Sequence, residues 1–377
     1  MNNKLRTVAL VSVLGLVAML AIKDGQAQIK VPPKLAPKPP APIVKPIVFK
    51  SISVSPQLRQ ALRTKQHVNL KLLKNNIRYR GNLPVIKIRG TRNYVLQRAV
   101  SEPKGQVQRV PLTLAKKLTR YKGYYSKLHI GKAVKLPIIA DIVDHRSKQT
   151  EIRDQGSRGT CVAHAALAGL EGYYKRQGHI RNISENHAYN VFMAQEGSTC
   201  MADTGLQTWR AADYMRDNRV CSEALSPYLD TTSSVCAVIS SACNSNKRYG
   251  YTSAYKFFAP AFGGTGTAIA TNPNYLESIV KAGYDIVLGV YVAGSDWFDG
   301  SAETGTVDVQ TYSNGQPANP YGGHAMLLVG YNKSNNYFIF KNSWGTDAGH
   351  NGYFYLSYEY LETYAKYGYV ILGATPA

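Results

Sequence analysis

Cys161 stands in the stretch EIRDQGSRGTCVAHAALAGLEGYY, residues 151–174, behind a turn-prone run and ahead of an Ala/Leu-rich one. This pattern predicts that the cysteine opens a helix ending at Gly178. A thiol at a helix N-terminus faces unpaired N–H groups and the positive end of the macrodipole, which draws its pKa from about 8.5 toward neutrality. A thiolate nucleophile also needs a base that orients it and protonates a leaving amine, and histidine suits both tasks. Of eight histidines, His324 follows two glycines and precedes an apolar run in GGHAMLLVGYN. Glycines there let a backbone or a substrate approach closely. Downstream, FKNSWG supplies Asn342, a neutral side chain able to hold an imidazole in one tautomer. Taken singly, a histidine at a strand start is more often a core residue than a catalytic one.

The elements that must position these residues follow from periodicity. GLQTWRAADYMRDN reads as a second helix, and YDIVLGVYVA, HAMLLVGYN, NYFIFKNSW and GYFYLSYEYL read as strands. A helical half followed by a β half predicts an α+β fold of two lobes over 136–377, the helical lobe carrying the cysteine and an antiparallel β lobe carrying His324 and Asn342. GGTGTA, residues 263–268, lacks a strand–turn–helix setting and reads as a loop rather than a phosphate cradle.

Taken in order, DQGSRGTCVAHA, GGHAMLLVGY and KNSWG resemble the papain family of cysteine proteases. LPIIADIVDHR, residues 136–146, is similar to that family's mature N-terminus, and NRVCSEALSPY to its segment ending in Tyr-Pro-Tyr. The resemblance covers roughly 136–377. It implies that Cys161 is the nucleophile, His324 the acid and base, and Asn342 its orienting partner. It further implies that Gln155, with the Cys161 N–H, forms the oxyanion hole, and that Trp344 shields the Asn–His hydrogen bond. MADTG lies where the family has Asn-Gly-Gly, which assigns Thr204 and Gly205 to substrate backbone. There are departures: Arg158 stands where the family often has a cysteine, and Val162 where it has Trp. The separation of Cys161 from His324 exceeds the usual spacing, which an insertion near 295–320 would explain. His164 lies one helical turn after Cys161; a packed core role is expected there rather than that of an alternative base. His145 replaces a family Trp and is expected to be structural, while His179, His187 and His350 show no partner pattern. No His/Cys grouping has zinc spacing, and neither metal nor cofactor is expected. Cys200, Cys221, Cys236 and Cys243 are expected to form two disulfides; three pairings are possible, and Cys200–Cys221 with Cys236–Cys243 is preferred.

Charge divides the chain. Residues 1–135 hold 28 Lys and Arg against Asp24 and Glu102 alone, whereas 136–377 hold 17 against 21 Asp and Glu. MNNKLR followed by the apolar 7–22 and GQA at 25–27 predicts a signal peptide cleaved after Ala27, hence a secreted or periplasmic protein; an uncleaved membrane anchor is the alternative. Residues 28–50 are Pro/Lys-rich and read as an extended linker. Residues 51–135 pattern as a small basic α+β unit: a helix from about Ser55, a hairpin in VIKIRGTRNYVLQRAV and a helix from Pro111. The resemblance implies that this unit is an inhibitory pro-segment, removed before about Leu136 near Lys132 or Lys135. Opposite charges favour its docking. Polypeptide substrates and a monomer are expected. The sequence shows no aromatic-interleaved nucleic-acid module and no other membrane span. The rival functions are transpeptidation or isopeptide cleavage on the same residues, and a non-catalytic protein whose basic half binds an acidic partner.

Overall fold

The structure, a computed structural model, describes residues 9–11, 17–23, 26–29, 66–67, 77–80, 83–88, 92–96, 142–198, 203, 205–230, 239–258, 273–298 and 304–377. The chain divides into two units, Met1–Val48 and Phe49–Ala377. In the first, β1 (Ala9–Val11), β2 (Val17–Lys23) and β3 (Gln26–Ile29) form an antiparallel sheet that runs through the segment read as a signal peptide and two residues past the expected cleavage after Ala27. Among the described residues no helix is long and apolar enough to cross a membrane.

The second unit begins with β4 (Gln66–His67), then β5 (Ile77–Arg80), β6 (Leu83–Ile88) and β7 (Arg92–Val95). The last three make an antiparallel sheet, and β6 with β7 is the expected hairpin. The expected helices of this region lie outside the described residues. Next come β8 (Ile142–Asp144), α1 (Cys161–Arg176), α2 (Glu185–Gln195), α3 (Thr208–Asp217) and the short α4 (Ser241–Ser245). The remaining elements are β9 (Tyr251–Phe258), α5 (Pro273–Lys281), β10 (Ile286–Val292), β11 (Thr306–Val307), β12 (Gln310–Thr311), β13 (Gly322–Asn332), β14 (Tyr337–Lys341), β15 (Tyr353–Ser357), α6 (Tyr358–Tyr364) and β16 (Ala365–Ala374).

One sheet, ordered β11-β15-β14-β13-β10-β16-β9 with β8 added to β13, organises this unit. Every residue of β13 and β10 is buried, as expected for strands covered on both faces. Alternation divides their side chains. Ala325, Leu327, Val329 and Val287 join Cys161, Leu167 and Leu170 of α1 in one core; Met326, Leu328, Ile286 and Leu288 join Trp297, Trp344 and Leu276 in the other. At Gly330 an added Cβ would lie 2.5 Å from the Val143 carbonyl, so glycine is what lets β8 close on β13. The expected strand over 352–361 stops at Ser357, whose hydroxyl accepts the Tyr360 N–H and starts α6.

Candidate active site

Two segments far apart in sequence are joined here. The Gln155 N–H donates to the Ser343 carbonyl (2.8 Å), the Gly345 N–H to the Arg153 carbonyl (3.0 Å), and Asp154 bridges Trp344. This pairing lays the turn before Cys161 along the segment that follows β14 and carries Asn342. Cys161 is the first residue of α1. It is buried and outside any disulfide. The Thr160 side chain makes no capping hydrogen bond to the helix.

Gln155 is buried, with both ends of its amide engaged. Ser343 Oγ donates to its Oε1 (2.7 Å), and its Nε2 donates to the Arg158 carbonyl (2.9 Å). An amide nitrogen carries two protons, and one of them is engaged by the Arg158 carbonyl. His324, on β13 opposite Val290, meets Asn342 Oδ1 through Nε2 at 2.7 Å. The same Oδ1 accepts the Ser343 N–H (2.8 Å), which identifies it as the oxygen. An amide oxygen only accepts, so Nε2 carries the proton and Nδ1 keeps its lone pair. That Nδ1 is buried with no hydrogen bond among the described residues, an available base. Trp344 stacks on the imidazole, ring centroids 4.4 Å apart, and Trp297 meets it edge-on at 6.4 Å. Burial lowers the His324 pKa to about 4, with the Asn342 hydrogen bond opposing.

The other sequence-derived positions fall as follows. The Gly159 N–H donates to Asp203 Oδ1 (2.8 Å), and a Cβ on Gly159 would lie 3.3 Å from Gly205 N, so Asp203 and Gly205 lie against the turn that precedes Cys161. Gly205 has φ +72°, a left-handed conformation that glycine adopts without strain. Thr204 lies outside the described residues. His164 is packed as expected: its Nδ1 donates to the Thr160 carbonyl (3.1 Å), its ring meets Tyr228 edge-on, and burial lowers its pKa to about 3. His145 ties Asp285 at 2.8 Å.

The preferred disulfide pairing is corrected. Cys221 is bonded to Cys243, not to Cys200, and Cys243 is therefore not bonded to Cys236. The Val220–Tyr249 bridge folds the chain after α4 back onto Cys221, so proximity in space overrides proximity in sequence. Cys200 and Cys236 lie outside the described residues. His187, which showed no partner in the sequence, accepts the Cys221 N–H at Nδ1 (3.1 Å) and lies 3.3 Å from Cys243 Sγ. These three residues bring their ligand atoms within 4.8 Å of one another, but the disulfide occupies both sulfurs.

Sequence reasoning missed Tyr94. It stacks on Trp344 (centroids 5.0 Å apart) and its hydroxyl donates to the Trp344 carbonyl (2.9 Å). Its only signal was an aromatic in a hairpin of the basic region. Ser343 and Tyr228, which also reach Gln155, lie inside KNSWG and NRVCSEALSPY, whose local pattern carries no sign of these long-range contacts.

Comparison with known proteins agrees with this geometry. The family model described as "Papain family cysteine protease" matches residues 139–283 and 290–368, more than half of the chain. A viral cathepsin of Cydia pomonella granulosis virus is 27% identical over 224 residues, covering 58% of this chain and 57% of the relative. Cathepsin C of Schistosoma mansoni is 29% identical over 220 residues, covering 55% and 44%. The chain thus spans about half the length of the curated relatives it matches. Xylellain, a cysteine protease from Xylella fastidiosa, shares the fold with a TM-score of 0.51 at 20% identity, over 76% of this chain and 98% of that one. With its α+β papain-like fold and the match of the family model, the chain belongs to the papain family of cysteine proteases.

Proposed function

We propose that the chain is an exported cysteine endopeptidase made as a zymogen. The observation that carries the reading is the His324–Asn342 hydrogen bond under Trp344, which leaves His324 Nδ1 as a base in the site that Cys161 enters from α1. Nδ1 takes the Cys161 proton, and Sγ attacks the scissile carbonyl carbon. The resulting oxyanion is held by the second Gln155 N–H and the Cys161 backbone N–H; such donors are commonly worth about 3–4 kcal/mol in the transition state. The proton on Nδ1 passes to the leaving amine as the C–N bond breaks, leaving a thioester. A water then loses its proton to the same nitrogen and attacks the thioester. Breakage of the C–S bond frees the acid product and restores the thiol. Thr204 and Gly205 pair with substrate backbone in this reading.

The basic region, 51–135, is the intramolecular inhibitor. Tyr94 covers Trp344, and Ile86 and Leu96 lie in the same core as Trp297 and Trp344. β4 extends this attachment by pairing with β12. With residues 1–27 as the export signal, the mature enzyme starts near Leu136 and acts as a monomer on polypeptides. The test is the intact mass of the exported protein over time, for wild type and Cys161→Ala. Loss of residues 28–135 from wild type alone supports the reading. Loss from both, or product ligated to an added amine instead of hydrolysed, counts against it.

A further inference from the structure

The turn from Gln155 to Cys161 contains no second cysteine, yet it must hold the oxyanion donors still. Within it Arg158 is fully buried. Its guanidinium carbon lies 4.8 Å from the Tyr228 ring centroid and 5.6 Å from that of Tyr189. Nη1 donates to the Leu229 carbonyl (2.8 Å) and reaches Asn186 Oδ1 at 3.4 Å. Cation–π contacts strengthen on desolvation, and a planar guanidinium can stack and donate together. Tyr228 then grips both ends of the turn. Its hydroxyl donates to the Gln155 carbonyl (2.8 Å) and lies 2.7 Å from Thr160 Oγ1. One ring, fixed by Arg158, therefore holds the backbone carbonyl of Gln155 and the side chain of Thr160, the residue preceding Cys161.

We infer that Arg158 and Tyr228 are positioning residues for the oxyanion hole, aiming the Gln155 amide and the Cys161 N–H through a non-covalent clamp that thiol reductants leave intact. Neither touches the reacting atoms. The inference rests on the roles proposed above for Cys161 and Gln155.

The experiment uses the full exported chain, incubated until its processing ends. Tyr228→Phe keeps the ring over Arg158 and deletes both hydroxyl contacts; Arg158→Met keeps bulk and deletes the charge. Two rates are read: steady-state peptide hydrolysis, and alkylation of Cys161 by iodoacetamide, a reaction that needs the thiolate but no oxyanion donor. In Tyr228→Phe, kcat is expected to fall about tenfold, the equivalent of one hydrogen bond, with KM and the alkylation rate within about twofold of wild type. Arg158→Met is expected to follow the same pattern. Should Tyr228→Phe fail to fold, Thr160→Val removes one end of the grip and is expected to lower kcat about threefold with alkylation unchanged. Wild-type kcat in the folded variants overturns the clamp alone. Parallel loss of kcat and alkylation overturns it in favour of general collapse of the site. A wild-type protein that neither hydrolyses peptide nor alkylates at Cys161 overturns the nucleophile reading beneath it.

Discussion

At the scale of single residues, the geometry separates jobs that the sequence runs together. Asn342 Oδ1 fixes the protonated nitrogen of His324, so Asn342→Ala is expected to scramble the tautomer and lower kcat about 10- to 100-fold with a smaller change in KM, read by steady-state peptide hydrolysis. Equal kcat in that variant would remove Asn342 from the mechanism. Burial also leaves a signature in stability. His164, His187 and His324 have pKa values lowered by desolvation to about 3, 4 and 4. The unfolded chain protonates them near pH 6.5, the folded chain only near 4 or below, so their stabilisation is complete above 6.5 and is lost as pH falls. Glu185 runs the other way: burial raises it to about 8, so its contribution is complete below about 4.5 and fades as pH rises. Among the large shifts three histidines oppose Glu185, while the smaller ones of His350 on one side and Glu223 and Glu362 on the other partly offset, so the thermal midpoint is expected to drop on acidification from about pH 6.5 to about 4.5. A midpoint that rises over that window, measured by calorimetry, would contradict the burial of these histidines. Cys161, His324, Asn342 and Gln155 were legible as residues because their motifs are local; the hydrogen bonds that orient them join residues up to 188 positions apart and were not.

At the scale of elements, local signals were read where they were strong. The start of α1 was expected at Cys161 and is found there. β10, β13 and β14 follow their apolar runs. α2 and α5 escaped attention although Ser184 caps one and Pro273 opens the other, because neither stood beside a motif. The hairpin of β6 and β7 was legible as a hairpin, but its seat was not: Tyr94 and Trp344 are 250 positions apart. That seat carries a prediction. The aromatic stack and the hydroxyl contact are together worth about 2 kcal/mol. Tyr94→Ala is therefore expected to speed labelling of Cys161 in the uncleaved chain by about tenfold or more, followed with a thiol-reactive peptidyl inhibitor. An unchanged labelling rate would show that the hairpin does not close the site.

At the scale of the whole molecule, composition divides the chain by charge, and within the second unit β4 pairs with β12 while Ile86, Tyr94 and Leu96 pack into the core that holds Trp344. The excess of Lys and Arg before residue 136 and the slight excess of acid after it favour association between the two parts, which salt weakens. The proposed inhibition by the basic region is accordingly expected to relax as ionic strength rises, seen as faster Cys161 labelling of the uncleaved chain at about 0.5 M than at about 0.05 M salt, where the Debye length differs several-fold. Labelling independent of salt would assign the restraint to the apolar contacts of Ile86, Tyr94 and Leu96 alone. The central claim is that Cys161 performs the chemistry on peptide bonds. Its most direct test is hydrolysis of a peptide by the processed wild-type protein and by Cys161→Ala brought to the same length with an added protease, together with the mass of the wild-type adduct with a peptidyl inhibitor. Cleavage by wild type alone, with a single adduct mapped to Cys161, is the result the structure predicts; cleavage at the wild-type rate by Cys161→Ala would contradict it.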